Sequence, residues 1–116
     1  MANSVCVRLL DGHPLAADDV MLDEKVLDLA HVKQLNAAVR VINKGNTTNG
    51  NEVWLQHSAS KDEESYYTLE AIKVGTDATT GVQVFTFDNF LRFVRWKCAP
   101  GVSGSPRAFI DVVAKP

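Results

Sequence analysis

The 116-residue sequence is poor in cysteine and proline and has no long apolar run. The only two cysteines, Cys6 and Cys98, lie 92 residues apart, and neither has a partner at the spacing of zinc ligands. Four prolines and seven glycines exclude a collagen-like or low-complexity chain. No window approaches the roughly 18 apolar residues of a membrane-spanning helix. The first residues show no basic segment followed by an apolar stretch. We therefore expect no membrane association and no export signal.

Basic residues are also too scattered for a nucleic-acid-binding surface. The net charge is -2 and the pI is about 5.8, so we expect no nucleic-acid partner. The charges are unevenly distributed: residues 1–30 hold six acids and two bases, residues 61–90 hold six and two, and residues 91–116 hold one acid and five bases. This distribution predicts ion pairs between strands and loops. A bipolar surface that promotes association is the alternative.

The remaining composition is that of an ordinary globular protein, with 46% hydrophobic and 22% charged residues. A chain of this length can bury one core, and we predict a single domain over residues 1–116. Cys6 and Cys98 fall in the first and the second last strand-like runs. A disulfide between them and two buried thiols are both compatible with that placement.

The periodicity of apolar residues is mostly two, which is typical of half-buried strands. Polar or Gly/Pro-containing gaps separate the runs, and no convincing amphipathic helix lies between them; Pro14–Leu35 is allowed at most a turn or two. We predict an all-β, antiparallel β-sandwich, jelly-roll or discoidin-like, of about seven or eight short strands. The clearest predicted runs are 4–10, 35–42, 52–58, 66–74, 82–87, 91–98 and 107–114.

Alternation also predicts which side chains face the core. Leu35, Ala37, Val39 and Val41 share one face of their run. In residues 91–98, Val94, Trp96 and Cys98 are placed in the core, and Arg95 and Lys97 on the surface. The turn-forming residues 44–51 predict a hairpin with a long, flexible tip that joins the runs 35–42 and 52–58.

Residues with catalytic chemistry do not converge in the sequence. His13, His31 and His57 share no metal-ligand spacing, and adjacent strand residues such as His57 and Ser58 point to opposite faces. The acidic clusters lack the glycine of a calcium loop. We therefore predict no enzyme activity, no metal site and no cofactor.

Contact residues are predicted instead among aromatics and loop tips, because rigid aromatic side chains dominate binding hot spots. Trp54 has neighbours that favour the outer face of its strand, and one of the two adjacent tyrosines is expected to be exposed. The candidate partner contacts are Trp54, Tyr66, Tyr67, Asn46, Thr47, Asn49, Asp77 and Thr79.

The order of several motifs resembles that of known β-sandwich proteins. These motifs are Val53–Ser60, Tyr66–Leu69, Phe85 and Leu91–Trp96. Their order is similar to the strand signals of discoidin-like domains and to small bacteriophage β-sandwich proteins that coat capsids or join head and tail parts. The chain is shorter than a discoidin domain and has Tyr66-Tyr67 where a tryptophan is usual. No sugar-binding residue is therefore carried over.

The resemblance implies a virion structural protein, for capsid decoration or as a head or tail accessory, made in the host cytoplasm. Its partners would be capsid or tail proteins, and it would form a homo-oligomer such as a trimer. The alternative is a discoidin-like carbohydrate-binding module, a secreted protein in which Trp54, Tyr66 or Tyr67 would contact a glycan. A cytosolic scaffold or accessory subunit is a third hypothesis.

Overall fold

A computed structural model describes residues 4–116, which form eight antiparallel strands and two short 3-10 turns. No helix in that part of the chain is long and apolar enough to cross a bilayer. The strands are β1 (Val5–Asp11), β2 (Leu27–Asp28), β3 (Gln34–Asn43), β4 (Glu52–Ser58), β5 (Tyr67–Lys73), β6 (Val82–Phe87), β7 (Phe93–Cys98) and β8 (Arg107–Lys115).

The strands form two four-stranded sheets. Sheet I has the order β1-β8-β3-β6, and sheet II has the order β2-β7-β4-β5. Consecutive strands change sheet at every connection except β4–β5. This order is that of an eight-stranded jelly roll, one of the two sandwich types predicted. The predicted all-β sandwich is confirmed.

The core lies between the inner faces of the two sheets. Leu35, Ala37 and Val39 of β3 are buried, as the alternation predicted. Alternate residues of β8 from Ala108 to Ala114 are buried in the same way. In β1, a bulge between Arg8 and Leu10 interrupts the two-residue period, so Leu9 and Leu10 are both buried.

The predicted hairpin around residues 44–51 is wrong. Strand β3 pairs with β6 and β8 in sheet I, whereas β4 pairs with β5 and β7 in sheet II. Turn-forming residues correctly marked a reversal of the chain, but they do not determine which strand receives the backbone hydrogen bonds. The connection therefore crosses from one sheet to the other.

The long connection after β1 contains little helix, as predicted. A 3-10 turn spans Asp23–Lys25, and Val20 forms an isolated bridge with Lys97. The backbone N–H of Cys98 donates to Asp19 O at 2.7 Å, and the N–H of Met21 donates to Trp96 O at 3.2 Å. Residues 19–21 therefore lie beside β7, on the same side as β2, and lengthen that edge of sheet II.

The two cysteines are not joined. Cys6 is exposed on β1, and Cys98 is fully buried on β7. The disulfide is absent, and the prediction of two buried thiols is correct for Cys98 and wrong for Cys6. Burial raises the pKa of the Cys98 thiol to about 12.

The segregated charges pair between distant parts of the chain, as predicted. Arg92 forms a bidentate pair with Asp28 at 2.9 Å, and Arg8 pairs with Asp111 at 2.7 Å. Arg95 and Lys97 pair with Glu63 of the middle segment, so bases of the C-terminal segment are neutralised in part by acids of both earlier segments.

Candidate contact surface

Three connections meet at one end of the sandwich: residues 44–51, 74–81 and 99–106. We call this surface the loop end. The N–H of Gly45 donates to Val74 O at 2.7 Å, and the N–H of Thr76 donates to Thr47 O at 3.0 Å. These bonds join the first two connections, although they begin from different sheets.

Asn51 fixes the centre of the loop end. Its side chain is fully buried, and Nδ2 donates to Ser103 O at 3.0 Å and to Thr47 Oγ1 at 3.2 Å. Its backbone oxygen accepts from the N–H of Val74 at 3.0 Å. One residue therefore links all three connections, and the buried amide donor is satisfied by local acceptors.

Two glycines allow this close packing. A Cβ at Gly75 would collide with Thr47 O, and a Cβ at Gly45 would collide with the Asn51 amide and with Ser103 O. Any side chain at either position would therefore push the connections apart. At these two positions, glycine is required by the close approach of neighbouring atoms.

The outer rim of the loop end consists of hydroxyl and amide groups. Ser103 Oγ donates to Asn46 Oδ1 at 2.8 Å and lies 3.0 Å from Thr47 Oγ1. The hydroxyls of Thr48 and Thr76 form a further hydrogen bond. The rim is polar and mostly uncharged, and its side chains hydrogen-bond to one another.

Five of the eight predicted contact residues belong to the loop end. Asn46, Thr47, Asn49, Asp77 and Thr79 are all exposed there. Asp77 is paired with Lys73 at 3.1 Å, so its charge is partly neutralised. Sequence reasoning considered Asn51 only as a polar neighbour of a sugar platform and did not predict that it joins three connections, because it resembled one more polar residue of a loop.

The three aromatic candidates lie elsewhere and do not form one platform. Trp54 is on the outer face of sheet II, as its neighbours predicted, and is half-buried, with Nε1 donating to Glu52 Oε1 at 3.1 Å. Tyr67 is 66% exposed and meets the His57 ring edge-on at 6.4 Å. Tyr66 is only partly exposed. The expectation that one tyrosine is exposed is confirmed for Tyr67.

Tyr66 instead stacks on Arg95, whose guanidinium lies 3.8 Å from the ring centroid. Arg95 was predicted to lie on the surface, and this is wrong: the residue is 2% exposed. It does point to the outer face of sheet II, but the β4–β5 connection folds over it. Arg95 donates to Glu63 at 2.5 and 2.9 Å and to Gln56 Oε1 at 2.9 Å.

Glu63 is the acceptor at the centre of this cluster. It also accepts from Lys97 Nζ at 2.9 Å. Hydrogen bonds from Arg95 and Lys97 lower the pKa of Glu63 to about 2. The β4–β5 connection therefore covers part of the outer face of sheet II with a cluster of one carboxylate and two cations, and Gln56 and Ser58 are buried on that face.

A groove of about 540 Å³ lies beside β1 and the connection that follows it. His13 Nδ1 is 2.6 Å from Asp11 Oδ1, and the His13 ring tilts against Trp96 at 5.7 Å.

His57 and Ser58, which lie outside the groove, do not form a reactive pair. At His57, Nδ1 accepts from the N–H of Leu91 at 3.0 Å, and burial lowers the pKa of His57. Ser58 is fully buried.

The groove brings a carboxylate and an imidazole together beside apolar side chains. Across residues 4–116, no three His, Cys, Asp or Glu side chains are grouped to hold a metal ion. The groove therefore holds a carboxylate–imidazole pair next to an apolar wall, and the loop end is a surface of three connections joined by hydrogen bonds.

No protein-family model matches the chain, and neither a curated protein nor a solved structure matches it.

Proposed function

We propose that this chain is a non-enzymatic virion structural protein, a capsid-decoration or head/tail accessory protein, that binds its neighbours through the loop end. The jelly-roll topology supports the proposal by analogy, because jelly rolls are frequent in viral capsid proteins and also in lectins. The observation that carries the contact role is the rigid loop end, in which buried Asn51 links three connections.

Rigidity matters because a surface that is ordered before binding loses little conformational entropy on docking. The rim presents uncharged hydroxyl and amide groups around a fixed backbone, so it can form hydrogen bonds without removing isolated charges from water. Contacts on a symmetric lattice use shape complementarity together with hydrogen bonds at a polar rim.

Aromatic geometry gives the carbohydrate-binding alternative less support. Tyr66 is stacked on Arg95, Trp54 is half-buried, and Tyr67 lies with His57 at another part of the molecule. A shallow sugar platform needs exposed aromatic faces side by side. The described residues do not place these three rings together.

Particle binding tests the proposal directly. Particles purified from a host that expresses the gene should contain the protein, and a particle map should place its loop end against the lattice. Asn49→Arg with Thr79→Arg should remove the protein from particles, because two bulky cations are added to a neutral contact surface. Ala59→Arg, at an exposed position of the β4–β5 connection, is the matched control.

Absence of the wild-type protein from particles would contradict the virion role. Incorporation of the double variant at the wild-type level would contradict the role of the loop end. Tight binding of a monomer to a glycan array would favour the carbohydrate-binding module instead.

A further inference from the structure

Two open sheets leave four strand edges in the described part of the chain: β1 and β6 in sheet I, and β2 and β5 in sheet II. An edge strand has unpaired backbone N–H and C=O groups that can template another strand. Stable proteins usually protect such edges with short strands, bulges or charged side chains.

Three of these edges carry such protection. Strand β2 has only two residues. Strand β1 contains a bulge after Arg8 and also carries the charge of Asp11. Strand β5 has a register shift where it faces Leu55 and Gln56, and it carries Glu70 and Lys73.

The fourth edge, β6, has none of these devices. Its sequence Val-Gln-Val-Phe-Thr-Phe contains no charge and no proline, and five of its six residues are valine, phenylalanine or threonine, which are enriched in strands. Its pairing with β3 runs from Val82 to Phe87 without a register shift. Val82 and Val84 are 62% and 66% exposed.

We propose that β6 is a dimerisation edge, where a second copy of this chain pairs antiparallel with β6 and joins two sheets I into one eight-stranded sheet. Opposed residues in an antiparallel pair must face the same side of the sheet. A two-fold axis through Val84 satisfies this condition: Val84 meets its own copy, Val82 meets Thr86, and Gln83 meets Phe85.

Charge favours a second copy over an unrelated strand. In a two-fold contact, a residue near the axis meets itself or a near neighbour, so any charge on β6 would lie against the same charge. The neutral strand avoids this repulsion. The contact also closes, because each β6 then covers the unprotected edge of the other copy.

Sedimentation and light scattering over a range of concentrations test the proposal. The wild-type chain should be a dimer, and Val84→Lys should raise the dimer dissociation constant by roughly tenfold or more, because two lysines meet at the axis. Val5→Lys changes a 55% exposed valine on the opposite edge of the same sheet and should leave the dimer intact. Circular dichroism of each variant verifies that it is folded.

Cross-linking tests the register independently. In a Cys6→Ser background, Val84→Cys should form an intermolecular disulfide on mild oxidation, because opposed Cβ atoms in a pair lie about 5 Å apart. Thr86→Cys is the matched control. In the proposed register two copies of residue 86 are four positions apart along the strands, about 13 Å, and should not cross-link.

A wild-type monomer, a trimer, open-ended aggregates, or a Val84→Lys variant that dimerises normally would each overturn the proposal. So would cross-linking that is equal at positions 84 and 86. The inference depends on the chemistry of the β6 edge and is independent of the virion role, so either proposal can fail while the other stands.

Discussion

Arg95 is buried although its side chain points away from the core. Glu63 is the carboxylate that balances its buried charge. Burying a guanidinium is costly unless its hydrogen bonds are satisfied, and Glu63, Gln56 and the Tyr66 ring together surround it. Glu63 itself remains 59% exposed, so water screens part of the attraction.

Removing the Glu63 charge should therefore destabilise the fold. We expect Glu63→Gln to lower the free energy of unfolding by about 1–3 kcal/mol, a range reduced from that of a fully buried pair because Glu63 is largely exposed. Urea denaturation measures this. Glu64→Gln is the control, since Glu64 is adjacent and exposed and has no side-chain partner among the described residues. Equal stabilities for both variants would refute this role of Glu63.

The same pair should produce a characteristic pH dependence. The pKa of Glu63 falls from its ordinary value of 4.5 to about 2, so the folded state favours the carboxylate. Its stabilisation is therefore fully present above pH 4.5 and is lost as the pH falls through about 2. The difference in free energy of unfolding between wild type and Glu63→Gln should therefore decrease as the pH is lowered between these limits. A difference that does not change with pH would argue against the pair.

At the scale of elements, the loop end depends on a glycine that has no room for a side chain. Gly75→Ala should cost about 3 kcal/mol or more, because its Cβ would overlap Thr47 O and force two connections apart. Gly81→Ala is the comparison: Gly81 has a φ of +85° but open space around it, so only about 1 kcal/mol of backbone strain is expected. Thermal unfolding distinguishes them, and similar losses would exclude the clash.

Strand positions were largely predictable because alternation depends on local burial. The predicted run 82–87 coincides with β6, and Val94, Trp96 and Cys98 are in the core as expected. Pairing was not predictable in the same way. The hairpin between β3 and β4 was wrong because backbone hydrogen bonds form with whatever strand lies adjacent, and adjacency depends on the whole topology.

The contact residues were predictable only in part, for a similar reason. Exposed loop tips are recognisable from their turn-forming residues, and five of them do meet at the loop end. Arg95 and Tyr66 looked like surface residues because alternation does not reveal a loop that folds back over the outer face. The contact between Glu63 and Arg95 joins two residues that are 32 positions apart in the sequence, so it depends on the tertiary fold.

At the scale of the whole molecule, the two cysteines should report on global opening. A thiol reagent should modify Cys6 in the native protein and Cys98 only on unfolding, because Cys98 is fully buried and burial raises its pKa to about 12. The reagent should therefore react with one thiol per chain in buffer and with two in denaturant. Rapid modification of both in buffer would mean that the two sheets separate readily.

The central place of β8 in sheet I also bears on how the chain is made. Strand β8 lies between β1 and β3, so the first strand has no partner in its own sheet until Arg107–Lys115 has been synthesised. During translation, β1 cannot form its backbone hydrogen bonds until β8, about a hundred residues later in the sequence, has been made. Pairing between strands so far apart in sequence slows folding. We therefore expect sheet I to form only after the whole of β8 has left the ribosome.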